Sequence, residues 1–237
     1  MATTLAPRTA RPTITLVPPL RPADREGPGR RLLNILVATV GLVLTMPLML
    51  AIAVLIKLTS RGPVLFRQAR VGLDRRALSR MGGNTRRRTD IGGKPFTMYK
   101  FRTMHVDHES LDRQVWAQPG DPRVTPIGRL LRQLRLDELP QLFNVLTGDM
   151  NIVGPRPEQP AIFVYLREQI EGYQRRQRVR PGITGWAQVN LSYDRTLEDV
   201  RRKLSLDLQY IRRQSVLEDF KIMLCTPRVM LGQRRGW

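Results

Sequence analysis

The chain has 237 residues and a formal net charge of +20, with only one cysteine, Cys225. This length fits one domain with room for an appendage, and a single cysteine excludes a disulfide framework. Arginines outnumber lysines several-fold, and arginine is suited to always-charged anion sites. The charge therefore predicts a polyanionic partner, either nucleic acid or an anionic membrane surface.

Residues 1–31 are rich in proline, arginine and threonine, a composition that predicts a disordered basic tail. Residues 32–58 form an apolar run without a charged residue as far as Ile56, long enough as a helix to cross ~30 Å of hydrocarbon. Pro47 predicts a break in that helix, with Thr45 as the hydroxyl available to the freed carbonyls. Basic flanks on both sides favour a re-entrant helix-break-helix whose ends both stay cytoplasmic. A kinked single span is the alternative.

The remainder, 59–237, is predicted to be a mainly helical α+β domain with a small β element. Residues 74–93 are rich in arginine and glycine and are expected to form a mobile surface insertion. The alternation in KPFTMYKFRTM predicts a strand with Lys100 and Arg102 on one face. That face is a candidate for binding a diphosphate, but from spacing alone a solvated strand face is the simpler interpretation.

Helix signals fill most of the rest of the chain. Thr125 caps a helix that begins at Pro126 and carries the apolar stripe Leu130, Leu131 and Leu134. Further helices are expected from Asp137 to Gly148 and from Pro160 to about Arg176. Two capping boxes, at Thr196–Asp199 and Ser215–Glu218, begin amphipathic, basic helices suited to a membrane interface.

The stretch RLDELPQLFNVLTGDMNIVGPRPE carries the strongest chemical pattern. Its adjacent carboxylates, Asp137 and Glu138, lie close in sequence to several arginines, which indicates divalent-metal and phosphate chemistry. The alternative is that Asp137 is only a helix N-cap. A nucleotide-binding P-loop motif and a G-x-S-x-G elbow are both missing from the sequence, and no nucleic-acid-binding module is recognisable.

Four segments in order, LIKLTSRGPVLFRQARVG, KPFTMYKFRTM, the stretch containing Asp137, and RPGITGWAQVN, resemble the bacterial sugar transferase family of monotopic polyprenyl-phosphate sugar-1-phosphate transferases. The similarity runs from about Arg31 to the C-terminus. Members of this size have a Ser-Pro pair at the helix break, whereas here Met46 precedes Pro47. The resemblance implies a protein of the bacterial inner membrane whose catalytic domain lies on the cytoplasmic face, among anionic lipids and without nucleic acid.

The resemblance also implies a reaction in which a UDP-sugar and undecaprenyl phosphate give undecaprenyl-diphospho-sugar and UMP, for an exopolysaccharide, capsule or other glycan. It implies Mg²⁺ held by Asp137 and Glu138, with Asp137 as the nucleophile. The residues expected to bind phosphate groups are Lys100, Arg102, Arg132, Arg156 and Arg180, and Asp149 is expected to support the dyad. The alternative function is an inactive, membrane-anchored basic interaction protein.

Overall fold

The computed structural model describes residues 27–74, 91–105, 121–191 and 196–232. These residues are mainly helical with two small sheets, which agrees with the predicted class. Seven α-helices occur within them: α1 Pro28–Thr59, α2 Pro126–Gln133, α3 Gln141–Thr147, α4 Pro160–Gln169, α5 Trp186–Asn190, α6 Leu197–Arg213 and α7 Val216–Gly232. The strands are β1 Leu65–Val71, β2 Pro95–Phe101, β3 Asn151–Val153 and β4 Gly182–Thr184. Most of the predicted tail and insertion lies outside the described residues.

Helix α1 is longer than predicted and continuous. It begins with Pro28 at its first position, where the missing N–H of proline costs nothing, so residues 28–31 belong to the helix rather than to the tail. The predicted break at Pro47 is not present, because Pro47 lies inside the helix. A proline removes a single backbone donor, here the one that would pair with the Val43 carbonyl. The Thr45 hydroxyl donates to a different carbonyl, that of Gly41, at 2.7 Å. At 1.5 Å per residue, α1 is about 48 Å long.

One face of α1 packs along the domain and the other is exposed. The buried face carries Asn34, Ala38, Leu42, Met49, Ile52 and Ile56. The opposite face is exposed but apolar, and includes Leu36, Val43, Leu44, Leu50 and Val54. Within the described residues, α1 is the one helix long and apolar enough to cross a membrane. It therefore combines a membrane-grade surface with a surface that belongs to the core of the domain.

Both ends of α1 are fixed to the domain by arginines. At the start, the Arg30 guanidinium donates to the Asp219 carboxylate at 2.9 Å and to the Tyr210 hydroxyl at 2.8 Å. Past the end of the helix, the Arg102 guanidinium donates to the Ser60 carbonyl at 2.8 Å. Charge-assisted hydrogen bonds of this kind are stronger than neutral ones. The two ends of the apolar helix are consequently attached to the same body.

Two short sheets carry the loops on which the candidate site is built. β1 pairs antiparallel with β2, from Leu65 opposite Phe101 to Val71 opposite Pro95. β3 pairs parallel with β4. A Cβ atom on Gly182 would lie 2.0 Å from the Gly154 nitrogen. Only glycine allows the two loops to approach this closely.

Several helix predictions are confirmed and others are corrected. The Thr125 cap and the start of α2 are confirmed, as is the Thr196–Asp199 capping box. In the α2 stripe only Leu131 is buried, while Leu130 and Leu134 are about half exposed. α4 ends at Gln169, because Ile170 leaves the helical conformation with φ −132° and ψ 112°. A 3-10 helix, Tyr173–Arg178, follows in place of the predicted helical residues.

Candidate functional site

The carboxylate pair lies in a tight turn between α2 and α3. Its 3-10 helix, Leu136–Glu138, follows Arg135, the one non-glycine residue with positive φ in the described part of the chain. The predicted helix start at Asp137 is therefore wrong, and so is the N-cap alternative, since Pro140 precedes α3 and no side chain caps that helix. An unusual backbone conformation held next to paired acids is typical of functional sites.

Cations from two other elements surround the pair. Asp137 and Glu138 are 7% and 8% exposed. The end of strand β2 places the Lys100 ammonium 3.1 Å from the Glu138 carboxylate and 4.0 Å from that of Asp137. The loop after β3 brings the Arg156 guanidinium to 2.7 Å from Glu138. Three segments that are distant in sequence thus form one charged cluster.

The surroundings shift the pKa values of the two carboxyl groups in opposite directions. Burial raises the pKa of Asp137, and the charge of Lys100 only partly opposes this effect. Burial also acts to raise the pKa of Glu138, but its ion pairs with Arg156 and Lys100 outweigh burial and hold its pKa well below the usual range. Two acids whose environments separate their pKa values are candidates for different chemical roles.

The other predicted phosphate-binding residues lie in three different places. Arg132 donates to the Thr103 hydroxyl at 2.9 Å, and its charge also lowers the pKa of Asp137. Arg102 is turned away from Lys100 towards the end of α1, where it is 4% exposed. Arg180 lines a surface depression of about 290 Å³ with Asp149. Among these predicted residues, Lys100, Arg132 and Arg156 contact the pair or act on it through their charge.

The structure adds a residue that the sequence reasoning missed. Arg70, on β1, donates to the Pro157 carbonyl at 2.9 Å. Burial, together with the charge of Arg156, lowers the pKa of Arg70 to about 10. The charge of Glu138 acts on Arg70 as well. Its position within one of the family-like segments, FRQARVG, was the available signal.

Two acidic ligands are also what a magnesium site would need from the protein. The described residues contain no group of three or more histidine, cysteine or acidic side chains placed to hold a metal ion. Mg²⁺, however, is commonly bound by one or two carboxylates plus water and substrate phosphates. Asp137 and Glu138 fit that open type of site and do not fit an all-protein cage.

The buried acids Asp137 and Glu138 lie among cations that could neutralise phosphate oxygens, and the domain that holds them packs along a helix apolar enough to cross a membrane. These features define a class of membrane-associated, phosphate-binding proteins. The family model described as "Bacterial sugar transferase" matches residues 26–233. The chain belongs to this family, as its sequence motifs predicted.

Named relatives are similar over most of this chain. The UDP-glucose:undecaprenyl-phosphate glucose-1-phosphate transferase of Escherichia coli is 44% identical over 200 residues, 83% of this chain and 39% of the relative. A UDP-N-acetylgalactosamine-undecaprenyl-phosphate N-acetylgalactosaminephosphotransferase of Aeromonas hydrophila is 44% identical over 202 residues, 85% of this chain and 43% of the relative. The chain thus spans about two fifths of the length of these two relatives. A glucose-1-phosphate transferase of Caulobacter vibrioides is 42% identical over 83% of this chain and 67% of the relative.

Proposed function

We propose that this chain is a polyprenyl-phosphate sugar-1-phosphate transferase. It takes a sugar-1-phosphate from a UDP-sugar, passes it to undecaprenyl phosphate, and releases UMP, as a membrane step in polysaccharide assembly. The observation that carries the proposal is the buried Asp137–Glu138 pair contacted by Lys100 and Arg156. The activities for which the relatives are named support the same reaction.

Asp137 is the nucleophile in this proposal. Its carboxylate oxygen attacks the phosphorus that bears the sugar, the bond to UMP breaks, and an aspartyl-phosphosugar forms. An oxygen of the acceptor phosphate then attacks the same phosphorus and frees the carboxylate. A buried carboxylate that is poorly stabilised as an ion is suited to this role, and burial is the main cause of the raised pKa of Asp137.

The remaining groups of the site offset charge. A carboxylate approaching phosphate oxygens is repelled, and preorganised cations reduce that repulsion as charge develops. Lys100, Arg132 and Arg156 are the cations associated with the pair. Asp137 and Glu138 would hold Mg²⁺, which when bound supplies further neutralisation of the phosphate oxygens. Glu138, kept ionised by Arg156 and Lys100, is better suited to holding cations than to attacking phosphorus.

The proposed location is the bacterial inner membrane, with the domain on the cytoplasmic face among anionic lipids. A membrane-crossing helix carries its two ends to opposite sides. In α1 the side chain of Arg30 and the carbonyl of Ser60 both bind the same domain. This supports an anchor that immerses its exposed apolar face, including the 74% exposed Leu44, and keeps both of its ends on one side of the membrane.

Release of UMP tests the function. Detergent-solubilised protein is incubated with undecaprenyl phosphate and a panel of UDP-sugars headed by UDP-glucose and UDP-N-acetylgalactosamine. We expect UMP from at least one sugar, no turnover in Asp137→Asn, and near-normal turnover in the control variant Glu198→Gln, whose side chain is exposed on α6. Incubation with the UDP-sugar alone should add a sugar-phosphate mass to the wild type but not to Asp137→Asn. No UMP from any sugar would favour the inactive interaction protein, and full activity in Asp137→Asn would remove Asp137 from its role.

A further inference from the structure

The segment 156–158 carries Arg156 to the candidate site, and its backbone is held at three successive carbonyls. Arg176 donates to the carbonyl of Arg156 at 3.0 Å, Arg70 donates to that of Pro157 at 2.9 Å, and the Val71 amide donates to that of Glu158 at 2.9 Å. Arginine side chains thus supply two of the three donors. Such bonds fix a loop that has no regular secondary structure of its own.

Arg176 is itself buried and held by two carboxylates. Its side chain is 1% exposed, and its guanidinium lies 3.0 Å from the Glu158 carboxylate and 2.8 Å from that of Asp207 on α6. Lys203, also on α6, contacts Glu158 at 3.1 Å. The planar guanidinium can serve these partners and the carbonyl of Arg156 at once, which a single ammonium group cannot do.

The two faces of the segment therefore have different partners. The side chain of Arg156 reaches Glu138 of the candidate site at 2.7 Å. The side chain of Glu158 instead forms ion pairs with Arg176 and Lys203. Burying several charges is costly and a core of apolar residues can be as stable, so stability alone does not account for the cluster. The hydrogen bonds from Arg176 and Arg70 to the loop carbonyls hold the backbone that carries the Arg156 side chain.

We propose that Arg176 and Arg70 are positioning residues that clamp the segment 156–158 so that Arg156 can engage Glu138 and the phosphate groups of the substrate. The clamp rests on the proposed transferase function, because Arg156 acts there as a phosphate ligand. Arg176 and Arg70 touch the loop backbone and act through Arg156.

A double-mutant cycle tests this relation. Arg176→Lys keeps the charge but removes the second nitrogen that reaches the Arg156 carbonyl. If the clamp acts through Arg156, Arg176→Lys should lower kcat/KM for UMP release about tenfold or more in the wild-type background, but less than about twofold in an Arg156→Ala background. Arg175→Lys, in the same 3-10 helix, is the matched control and should change kcat/KM less than about twofold.

A merely structural role predicts a different result. If the role of Arg176 is only structural, Arg176→Lys lowers the melting temperature and the folded fraction, and it reduces activity by the same factor with or without Arg156. Equal factors in the two backgrounds therefore overturn the proposal. If Arg176→Lys does not fold, the same cycle with Arg70→Lys decides, with Arg67→Lys on β1 as its control. The affinity for UDP, measured by calorimetry for the same set of variants, separates a failure of the clamp from a failure of the proposed transferase function. A wild type that releases no UMP refutes the transferase function, whereas additive effects on UDP affinity refute the clamp.

Discussion

Replacing Lys100 with methionine removes the cation that lies between the two carboxylates. Methionine keeps most of the length of the side chain, so the strand and its packing should persist. Lys100 is 4.0 Å from Asp137, and opposite unit charges at that distance attract by about 4 kcal/mol at an effective dielectric constant of 20. Losing this attraction favours the protonated form of Asp137, which cannot attack phosphorus.

The expected loss of activity follows from this energy. Each 1.36 kcal/mol corresponds to a factor of ten, and nearby Arg156 and Arg132 keep part of the stabilisation. We therefore expect kcat/KM at pH 7 to fall about ten- to thousandfold in Lys100→Met. Because Lys100 lowers the pKa of Asp137, its removal raises that pKa. The acid limb of the pH–rate profile should move to higher pH, and the deficit should shrink as the pH rises.

The assay is the initial rate of UMP release between pH 6 and pH 9 for wild type, Lys100→Met and Lys94→Met. Lys94 is exposed just before the same strand and serves as the matched control, with a rate expected to be within about twofold of wild type. A Lys100→Met enzyme with wild-type kcat/KM, or one whose deficit stays constant across this range, would refute the reasoning about the site.

Three further predictions concern the clamp segment, its ion pairs and the anchor. Arg156→Ala should raise the activation free energy that corresponds to kcat/KM by about 3–4 kcal/mol, whereas Arg202→Ala on the solvent face of α6 should change it little. Equal losses of activity in the two variants would show that the site is assigned to the wrong place. Glu158→Gln should lower the free energy of unfolding by about 3 kcal/mol at pH 7. Because the pKa of Glu158 is held well below its usual range, this deficit should narrow in denaturant titrations as the pH falls below about 4.3; a deficit independent of pH would contradict the charge assignment. In a Cys225-free protein, single cysteines at positions 9 and 89, outside the described residues, should be equally protected from an impermeant reagent in intact cells, and labelling of position 9 alone would indicate a membrane-spanning helix.

Much of the local structure could be predicted because its signals are short-range. Thr125 followed by Pro126, and Thr196 followed by Asp199, carry capping chemistry within a few residues, and both helix starts are confirmed. The predicted break at Pro47 was wrong because one missing backbone donor does not end a helix that packs along most of its length.

The sequence alone determined the family, the acidic pair and the membrane-grade helix, because each is a pattern within one continuous stretch. Only the tertiary structure decided which cations serve the pair. Lys100 and Arg102 share a strand face in the sequence pattern, yet Lys100 contacts Glu138 while Arg102 binds the end of α1. The clamp around segment 156–158 is invisible in sequence because it joins β1, a 3-10 helix and α6. Whether a buried charge finds a partner depends on distances of a few ångströms between such elements, and chain packing sets those distances.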